Sequence, residues 1–417
     1  MSAYHAKTLA GLEELLSGEL STLGATAVEP GRRGVAFDAD METLIRICIC
    51  SRYALTVHRP VLAFDAENPD ELHRIATEWD WGSALAPGRT FAIDVTVHSR
   101  FFPHSQFAML RLKDAIVDHF TRKGLLRPTV ERTRPDVRIH LHIAERAVTI
   151  ALDAAGEPLS RRGYRPPAAA APLSEVLAAG LLGLAGWKPG IPLYDPMCGS
   201  GTFTVEAALQ ASGWPVNWHR RTFAFMHWRG YDPEAWWAVR DALRSERVEI
   251  PTPMFASDRD IRAVVQTRHA LADMELAGDA EVGRSDFFRT HPRTDTGLIV
   301  LNPPYGERLA VPDAERMYTD IGDHIKFNWP GFTAFVLSSD FDGLKRIGMK
   351  PFAKYKVFNG PLECRWVGFE SKGQREVEGE VEVEGEVEGE VDVEVEVEVE
   401  GEVGGEGKRS DSSKERR

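Results

Sequence analysis

Residues 191–212 read IPLYDPMCGSGTFTVEAALQAS, and three features of this stretch predict the fold. A short, continuously apolar strand comes first and ends at Asp195. In the turn that follows, Gly199 and Gly201 let the backbone bend sharply and approach a ligand without interference from a Cβ atom. The remaining residues predict a helix. An apolar strand joined in this way to a helix is typical of a parallel sheet that is covered on both faces.

The same alternation of strand and helix continues through the second half of the chain. The predicted strands are almost continuously apolar, with the sequences IPLYD, MFASD, GLIVLNPPY and GFTAFVLSS. The helices predicted between them read TFTVEAALQAS, DIRAVVQTRHALADMEL and ERMYTDIGDHIKFNW. Two last strands, AKYKVFN and ECRWVGFE, flank Gly360-Pro361 and predict an antiparallel hairpin at the edge. The pattern predicts a doubly wound α/β domain whose ligands lie at the carboxyl ends of the strands.

The Gly-rich turn does not match two common nucleotide-binding sites. A phosphate-binding P-loop has a lysine after its last glycine, where this chain has Thr202. A dinucleotide-binding turn has a further glycine where Thr204 stands, and an acidic residue about 20 residues later. Here the next acidic residue at a strand end is the more distant Asp258. The turn instead resembles motif I of class I methyltransferases, in which the loop wraps the amino-acid moiety of S-adenosylmethionine.

Acidic residues also follow the next two predicted strands. Asp258 ends MFASD, where a carboxylate can accept hydrogen bonds from both hydroxyls of a ribose. Asp286 follows the third strand, where it can accept a hydrogen bond from the adenine amino group while Phe287 covers the ring. Taken singly, each aspartate is more typical of a helix N-cap or a solvated loop. Three acids at successive strand ends together predict a cofactor site.

The sequence Asn302-Pro303-Pro304-Tyr305 ends the strand GLIVL and predicts the reaction. An exocyclic amino nitrogen of guanine or adenine is a poor nucleophile, because its lone pair is delocalised into the ring. The Asn302 side-chain oxygen and the Pro303 carbonyl can accept its two N–H bonds and direct the lone pair at the methyl group. The prolines fix φ and hold these acceptors, and Tyr305 offers a ring for stacking of an extruded base.

A family resemblance extends over residues 4–370. It rests on six segments that occur in order: SQFAMLRLKDAIVDHF, PDVRIHLHI, VTIALDAAGEPLSRRGYR, APLSEVLAAG, DPMCGSGT and NPPYGERL. They resemble the bacterial THUMP-domain ribosomal RNA guanine-N2 methyltransferases, in particular the 23S enzyme in a form with a single catalytic domain. The resemblance implies a ferredoxin-like piece and a THUMP domain that bind RNA, followed by a Rossmann-like class I methyltransferase domain.

The candidate site residues fall into two groups. The catalytic residues are expected to be Asn302, Pro303, Pro304 and Tyr305. The residues expected to bind S-adenosylmethionine are Asp195, Pro196, Cys198, Gly199, Ser200, Gly201, Thr202, Asp258, Asp286, Phe287 and Asn302. No metal ion is expected, since the sequence has no CxxC pair and only four cysteines.

Several functions remain open at this point. The leading hypothesis is methylation of a guanine N2 in RNA, with 23S ribosomal RNA preferred and transfer RNA as the alternative. An adenine-N6 methyltransferase acting on DNA or RNA is a second possibility, because Asn-Pro-Pro-Tyr serves both amino groups. A non-catalytic RNA-binding assembly factor that keeps the fold is a third, although the intact strand-end acids speak against it.

The chain divides into five predicted parts. They are a ferredoxin-like piece (1–60), a THUMP domain (61–160), a Pro/Ala-rich linker (161–172), the catalytic domain (173–371) and a disordered Glu/Val-rich tail (372–417). The first helix is predicted over residues 6–24. Five of the ten tryptophans lie in an insertion at 212–250, which is expected to pack against the catalytic domain.

Charge is distributed unevenly along the chain. The net charge is −13, but residues 376–417 alone contain 17 acidic and 5 basic residues. Residues 100–165 contain 13 Lys/Arg and 7 Asp/Glu, which predicts a local RNA-binding surface. No apolar run is long enough to span a membrane, and the N-terminus lacks the pattern of a signal peptide. A cytoplasmic protein without a membrane partner is therefore expected.

Overall fold

The computed structural model describes residues 1–165, 173–250, 252–304 and 314–372, together with the backbone of residues 393–394. Within these ranges the chain forms two sheets of eight strands each. Helices cover both sheets, and the α/β class predicted from the sequence is confirmed.

The first sheet is built by the N-terminal part of the chain. Its strands are β1 (Ser2–Lys7), β2 (Thr26–Gly31), β3 (Gly34–Ala39), β4 (Thr56–Asp65), β5 (Thr90–His98), β6 (Thr129–Val130), β7 (Val137–Ala144) and β8 (Ala147–Asp153). Their order across the sheet is β2-β3-β1-β4-β8-β7-β5-β6. Neighbouring strands are antiparallel except β5, which runs parallel to both β6 and β7.

Four helices accompany this sheet, namely α1 (Glu13–Thr22), α2 (Met41–Cys50), α3 (Pro69–Glu78) and α4 (Ser105–Arg122). Local capping explains where two of them begin. The Asp40 carboxylate accepts a hydrogen bond from the Thr43 amide at 2.8 Å, and Asn68 accepts one from Glu71 at 2.9 Å. Both caps satisfy amides that the first helical turn leaves unpaired.

Strand β4 joins the two predicted N-terminal units. One edge of β4 pairs with β1 through residues such as His58, and the other edge pairs with β8 from His58 to Asp65. The boundary predicted between residues 60 and 61 therefore falls inside a strand. The ferredoxin-like piece and the THUMP domain share this strand, whose pairing with β8 has an irregularity between Pro60 and Leu62.

The helix predicted over residues 6–24 is wrong in its first half. Ser2–Lys7 form β1, and the helix begins only at Glu13. Residues 4 and 6 of β1 are buried while His5 and Lys7 lie on the other face. This strand lies between β3 and β4, so distant pairing partners determine its conformation.

The second sheet has the predicted doubly wound arrangement. Its strands are β9 (Leu193–Asp195), β10 (Met254–Asp258), β11 (Glu281–Arg284), β12 (Gly297–Leu301), β13 (Phe332–Ser338), β14 (Pro351–Asn359), β15 (Leu362–Glu370) and β16 (Val393–Glu394). Their order is β11-β10-β9-β12-β13-β15-β14-β16. The pairs from β11 to β13 are parallel, and β14 and β15 form the predicted antiparallel hairpin. The chain reverses direction across the sheet at β9, which places a ligand crevice between the ends of β9 and β12.

Helices and two hydrophobic clusters cover the faces of this sheet. The helices are α5 (Glu175–Leu184), α6 (Thr202–Ser212), α7 (Pro233–Ser245), α8 (Ile261–Asp273), α9 (Ala314–Asn328) and α10 (Phe341–Lys345). Leu193 belongs to a cluster that includes α5, α6 and α8 and continues into the N-terminal part. Its neighbour Tyr194 belongs to the opposite cluster, with Tyr318 and Trp329. Alternate residues of a strand face opposite sides, so both faces of the sheet are packed.

The tryptophan-rich insertion packs against the N-terminal part, in addition to the expected catalytic domain. The Asn217 amide nitrogen donates to the Ile49 carbonyl at 2.9 Å, and its side chain donates to the Cys48 carbonyl at 3.2 Å. Helix α7 contacts α2, and the Phe225 amide donates to the Ala154 carbonyl at 3.1 Å. The insertion thus connects the two sheets.

Two predicted segments fall largely outside the described residues. They are the linker from residue 166 onward and the tail from residue 373 onward. Within the tail, Val393–Glu394 pair with β14 in parallel, which differs locally from the predicted disorder. Among the described residues, no helix is both long and apolar enough to cross a membrane.

Candidate active site

The loop after β9 is tied to the end of β10. The Cys198 amide donates to the Ser257 carbonyl at 3.0 Å, and the Gly199 amide donates to Oδ2 of Asp258 at 3.1 Å. Because β9 and β10 are parallel neighbours, these bonds bring Asp195 and Asp258 to the same edge of the sheet. The edge is the one at which doubly wound folds bind ligands.

Both glycines of the loop have the left-handed backbone that the turn requires. Gly201 has φ +81° and caps the N-terminus of α6, and a Cβ atom there would lie 2.6 Å from the Thr267 side chain. Gly199 has φ +54°, and no heavy atom lies within 4 Å of the position that its Cβ would take. The loop is therefore closely packed at Gly201 and open at Gly199, where a ligand can approach the backbone.

Asp195 is a buried acid with one unsatisfied oxygen. Its side chain is 2% exposed, and the Thr204 hydroxyl donates to Oδ2 at 2.7 Å. Oδ1 has no hydrogen-bond partner among the described residues. Burial raises the pKa of Asp195 to about 7, and the nearby Asp258 carboxylate adds to the rise. A buried oxygen without a donor is unfavourable, so this position suits a ligand that brings a donor.

Asp258 is oriented by the protein on both of its oxygens. Besides the bond from Gly199, Oδ1 accepts a hydrogen bond from the Asp260 amide at 2.9 Å. A carboxylate has about four acceptor positions, so the group keeps capacity for two ligand hydroxyls. Asp258 is half-buried, which leaves it accessible at the strand end.

Asp286 and Phe287 lie two and three residues beyond the end of β11. Asp286 is exposed, and its Oδ1 accepts a hydrogen bond from the Phe288 amide at 3.1 Å at the start of a short 3-10 helix. Phe287 is only 2% exposed, and its ring centroid lies 4.7 Å from that of His324. Phe287 therefore packs in the hydrophobic cluster around Trp329.

The residues after β12 lie beside the same strand ends. Asn302 and Pro304 are half-buried, and Pro303 is buried. Since β12 pairs directly with β9, Asn302 follows the strand next to that of Asp195. Tyr305, the fourth residue of the predicted motif, lies outside the described residues.

The other predicted loop residues differ in their surroundings. Pro196 lines a cavity of about 300 Å³ beside β10 and β11. Ser200 lines a second cavity of about 320 Å³, and its hydroxyl lies 3.4 Å from that of Thr202. Cys198 is buried with its Sγ 3.4 Å from the Thr267 hydroxyl, and burial raises the pKa of its thiol. Cys198 therefore supports the loop from the core side.

Sequence reasoning missed a buried junction behind this loop, formed by Arg52, Arg162, Tyr164 and Glu206. Arg162 and Glu206 have fully buried side chains and form an ion pair with an N···O distance of 3.2 Å. The Tyr164 hydroxyl donates to the same carboxylate at 2.8 Å, and Arg162 donates to the Arg52 carbonyl at 2.7 Å. Glu206 lies on α6, so the junction connects the helix that carries the Gly-rich loop to the N-terminal part. The basic stretch RRGYR was the feature in the sequence that could have pointed to this junction. Its partner Glu206 is too distant in sequence for the pairing to be inferred.

Comparison with known proteins agrees with this arrangement. Residues 162–368 match the model of an RMKL-like methyltransferase domain, residues 66–153 a THUMP domain and residues 3–58 an RlmL ferredoxin-like domain. A Synechocystis protein named as an RNA methyltransferase is 36% identical over 369 residues, which cover 88% of this chain and 96% of that protein. The chain belongs to the RMKL-like methyltransferase family.

Other relatives of this RMKL-like protein are longer. The ribosomal RNA large subunit methyltransferase K/L of Syntrophotalea carbinolica is 38% identical over 381 residues, covering 88% of this chain but 53% of that protein. The chain thus spans about half the length of the K/L relatives that it matches. Among solved structures, a methylase of Clostridium difficile has a TM-score of 0.81 and 27% identity, covering 89% of this chain and 98% of the other. The methyltransferase SMU.472, solved with SAH, has a TM-score of 0.80 and 25% identity, covering 89% and 98%.

The residues of the RMKL-like domain fit S-adenosylmethionine, the cofactor of class I methyltransferases. The unsatisfied Oδ1 of Asp195 suits the amino group of an amino-acid moiety. The open side of Gly199 leaves room for that moiety against the backbone. Among the residues that the structure describes, no group of three or more His, Cys, Asp or Glu side chains could hold a metal ion.

Proposed function

We propose that the chain transfers a methyl group from S-adenosylmethionine to the exocyclic N2 of a guanine in RNA, with 23S ribosomal RNA as the substrate. The observation that carries the proposal is the position of Asn302-Pro303-Pro304 after β12, beside the unsatisfied acid at the end of β9. The K/L relatives, named for the large-subunit ribosomal RNA, support the choice of substrate.

The placement of the strand-end residues supports the following proposed roles. Asp195 receives the amino group of the cofactor, Asp258 receives the ribose hydroxyls and Asp286 receives the adenine amino group. The bound cofactor supplies an electrophilic methyl group on a sulfonium. Asn302 and the Pro303 carbonyl accept the two N–H bonds of the target amino group, which localises the nitrogen lone pair toward the methyl group. Holding the reacting atoms at roughly 3–3.5 Å provides much of the acceleration in such reactions.

The N-terminal part, residues 1–160, is proposed to bind the RNA. Most cations of residues 100–165 are paired with acids from outside that stretch, as in Arg111–Asp70, Arg122–Glu78, Lys123–Asp80, Arg138–Asp94 and Arg146–Glu67. Three exposed arginines of one loop, Arg127, Arg132 and Arg134, have no ion-pair partner among the described residues. Most other cations of residues 100–165 are paired with acids, so the positive charge available to bind phosphates is concentrated in this loop.

The test is to incubate the purified full chain with S-adenosylmethionine and ribosomal RNA from cells that lack the gene. Nucleosides released from the RNA are then identified by mass spectrometry. N2-methylguanosine in 23S RNA is the expected product, and transfer RNA and DNA serve as parallel substrates. Cofactor binding without methyl transfer to any of the three would favour a non-catalytic assembly factor.

A second candidate is methylation of adenine N6. The Asn-Pro-Pro arrangement serves either amino group, and a Listeria monocytogenes structure described as an N6-adenine-specific DNA methylase has a TM-score of 0.80 and 25% identity, covering 88% of this chain and 96% of the other. N6-methyladenine as the sole product in the same assay would establish this alternative and exclude the guanine activity.

A further inference from the structure

A cavity of about 300 Å³ lies on the face of the second sheet that carries Tyr194 and Phe255. The stretch between β11 and β12 contains only a three-residue 3-10 helix (Phe287–Arg289). The sheet next to β11 therefore has an open groove where a longer helix would cover it. The volume is at the lower end of the range found for small-ligand sites.

Basic side chains outnumber acidic ones in the wall of the groove. Arg284, Arg289, His291 and Arg293 contribute to its wall, and Glu281 is the acid among its lining residues. Glu281 is already paired with Arg293, with an N···O distance of 2.5 Å. Arg284 donates its Nε to the Arg259 carbonyl, and its charge contributes to lowering the pKa of Asp260, a carboxylate that is itself paired with Arg262. The groove thus has an excess of positive charge that nothing within it balances.

Arg289 is the cation most available to a ligand. It is exposed, and it has neither an ion pair nor a side-chain hydrogen bond to any described residue. Arg293 by contrast is held in place, because its guanidinium lies 5.2 Å from the Phe255 ring centroid and its amide donates to the Tyr194 hydroxyl. One fixed and one free arginine on an aromatic floor suit a phosphate group with an adjacent base or sugar.

The groove is continuous with the strand ends. Pro196, Ser257 and Ser285 line it, and each is next in sequence to one of the three strand-end acids, Asp195, Asp258 and Asp286. The Ser285 amide also donates to the Asp258 carbonyl at 3.1 Å. A strand whose base enters the site beside Asn302 would therefore have its backbone within reach of the groove.

We infer that this groove binds a phosphodiester of the RNA strand that carries the target base. The inference rests on the proposed function and names a contact of the catalytic domain with its substrate. S-adenosylmethionine contains no phosphate and carries a positively charged sulfur, so an arginine cluster is poorly matched to it. An RNA backbone supplies the anions that the cluster lacks, and each neutralised phosphate releases counterions.

The test compares Arg289→Glu with the wild-type full chain. Removal of the Arg289 side chain breaks no ion pair or side-chain hydrogen bond within the described residues, so the fold is expected to be unaffected. The dissociation constant for RNA should rise about tenfold at low salt, and the slope of its logarithm against the logarithm of salt concentration should fall by about one. Arg289→Lys should retain most of the affinity. The affinity for S-adenosylmethionine without RNA should be unchanged.

Lys188→Glu is the matched control, because Lys188 is exposed before β9 at the opposite edge of the sheet. It makes the same change of charge and should leave the salt slope intact. An unchanged slope in Arg289→Glu overturns the inference, as does an equal loss in both variants. A loss of cofactor affinity with unchanged RNA affinity would assign the groove to the cofactor instead. In each of these cases the wild-type methylation assay still decides the proposed function independently.

Discussion

Two buried acids on either side of the Gly-rich loop differ in their partners. The acid at the junction behind the loop has a cationic partner, whereas the acid at the strand ends in front of it has none among the described residues. At the junction, Glu206 is fully buried but faces the Arg162 guanidinium and the Tyr164 hydroxyl. At the strand ends, Asp195 is equally buried, yet one of its oxygens has no donor among the described residues. The two regions lie on the two sides of one short helix. Paired charges hold α6 to the N-terminal part, whereas the acid without a cationic partner among the described residues lies where a ligand can supply a donor.

The largest expected effect comes from breaking the junction. Glu206→Ala leaves the buried Arg162 charge without its partner, so the free energy of unfolding at pH 8 should fall by roughly 3–5 kcal/mol. Denaturant titration measures the change. Glu246→Ala is the control, because the Arg46–Glu246 pair also joins the two parts of the chain but is substantially exposed. Its loss should be about 1 kcal/mol or less. Similar losses in both variants would remove the distinction between buried and exposed pairs.

Substitutions of Asn302 and Asp258 at the strand ends should change activity and cofactor binding rather than stability. Asn302→Ala should lower kcat by about 10²–10³, comparable to removal of one preorganised hydrogen-bonding group. Cofactor affinity should be nearly unchanged, because Asn302 acts on the target amino group. Asp258→Ala should weaken cofactor binding first. Calorimetry of cofactor binding and single-turnover rates measure the two effects separately, and an equal loss of cofactor affinity in both variants would contradict the assigned roles.

The raised pKa of Asp195 should make the free energy of unfolding depend on pH. The pKa of Asp195 is raised to about 7 in the folded chain, from 3.8. The folded state therefore binds a proton that the unfolded state does not, between about pH 4 and pH 7. Across this window stability should decline as pH rises, by on the order of 3 kcal/mol. Asp195→Asn should reduce that part of the pH dependence without cofactor, and the remainder is expected from Glu206, whose pKa burial also raises to about 7. A profile identical to wild type would show that Asp195 is already ionised.

The smallest effects are expected for exposed cations. Some of them are paired with acids and others have no ion-pair partner among the described residues. Replacing Arg127, Arg132 and Arg134 by alanine should raise the RNA dissociation constant and lower its salt slope by about two to three. The paired set Arg111, Arg122 and Lys123 is the control, because acids already neutralise these side chains. Fluorescence anisotropy over a salt series compares the two triple variants. Equal slopes would mean that the unpaired loop does not contact phosphates.

Local sequence predicted the catalytic domain well because its determinants are local. Each buried strand is a short apolar run, and Asp195 and Asn302 directly follow such runs. The order of the strands, with β9 between β10 and β12, agrees with the doubly wound expectation. The position of the site could therefore be predicted before any tertiary contact was known.

The missed features depend on contacts between distant residues. β1 reads SAYHAK and has little strand character of its own, and pairing with β3 and β4 defines it. Phe287 was predicted to cover the adenine ring because it follows a strand-end acid, and its packing against α9 and Trp329 could not be inferred from that position in the sequence. Glu206 and Arg162 are 44 residues apart in sequence, so their pairing could not be predicted from periodicity.

The continuity of β4 has a mechanical consequence. The order of strands is continuous from β2 to β6, and β4 pairs with β1 on one edge and with β8 on the other, with an irregularity in the β4–β8 pairing between Pro60 and Leu62. This shared strand restricts bending between the ferredoxin-like piece and the THUMP domain. Two units that share a strand keep a nearly constant position relative to each other. The arginine loop at 127–134 follows α4 and includes β6, the strand at one edge of this sheet. Under the proposed function, an RNA bound at these arginines would present to the strand ends a nucleotide at a limited distance, and the target guanine would be selected by its position rather than by its neighbours.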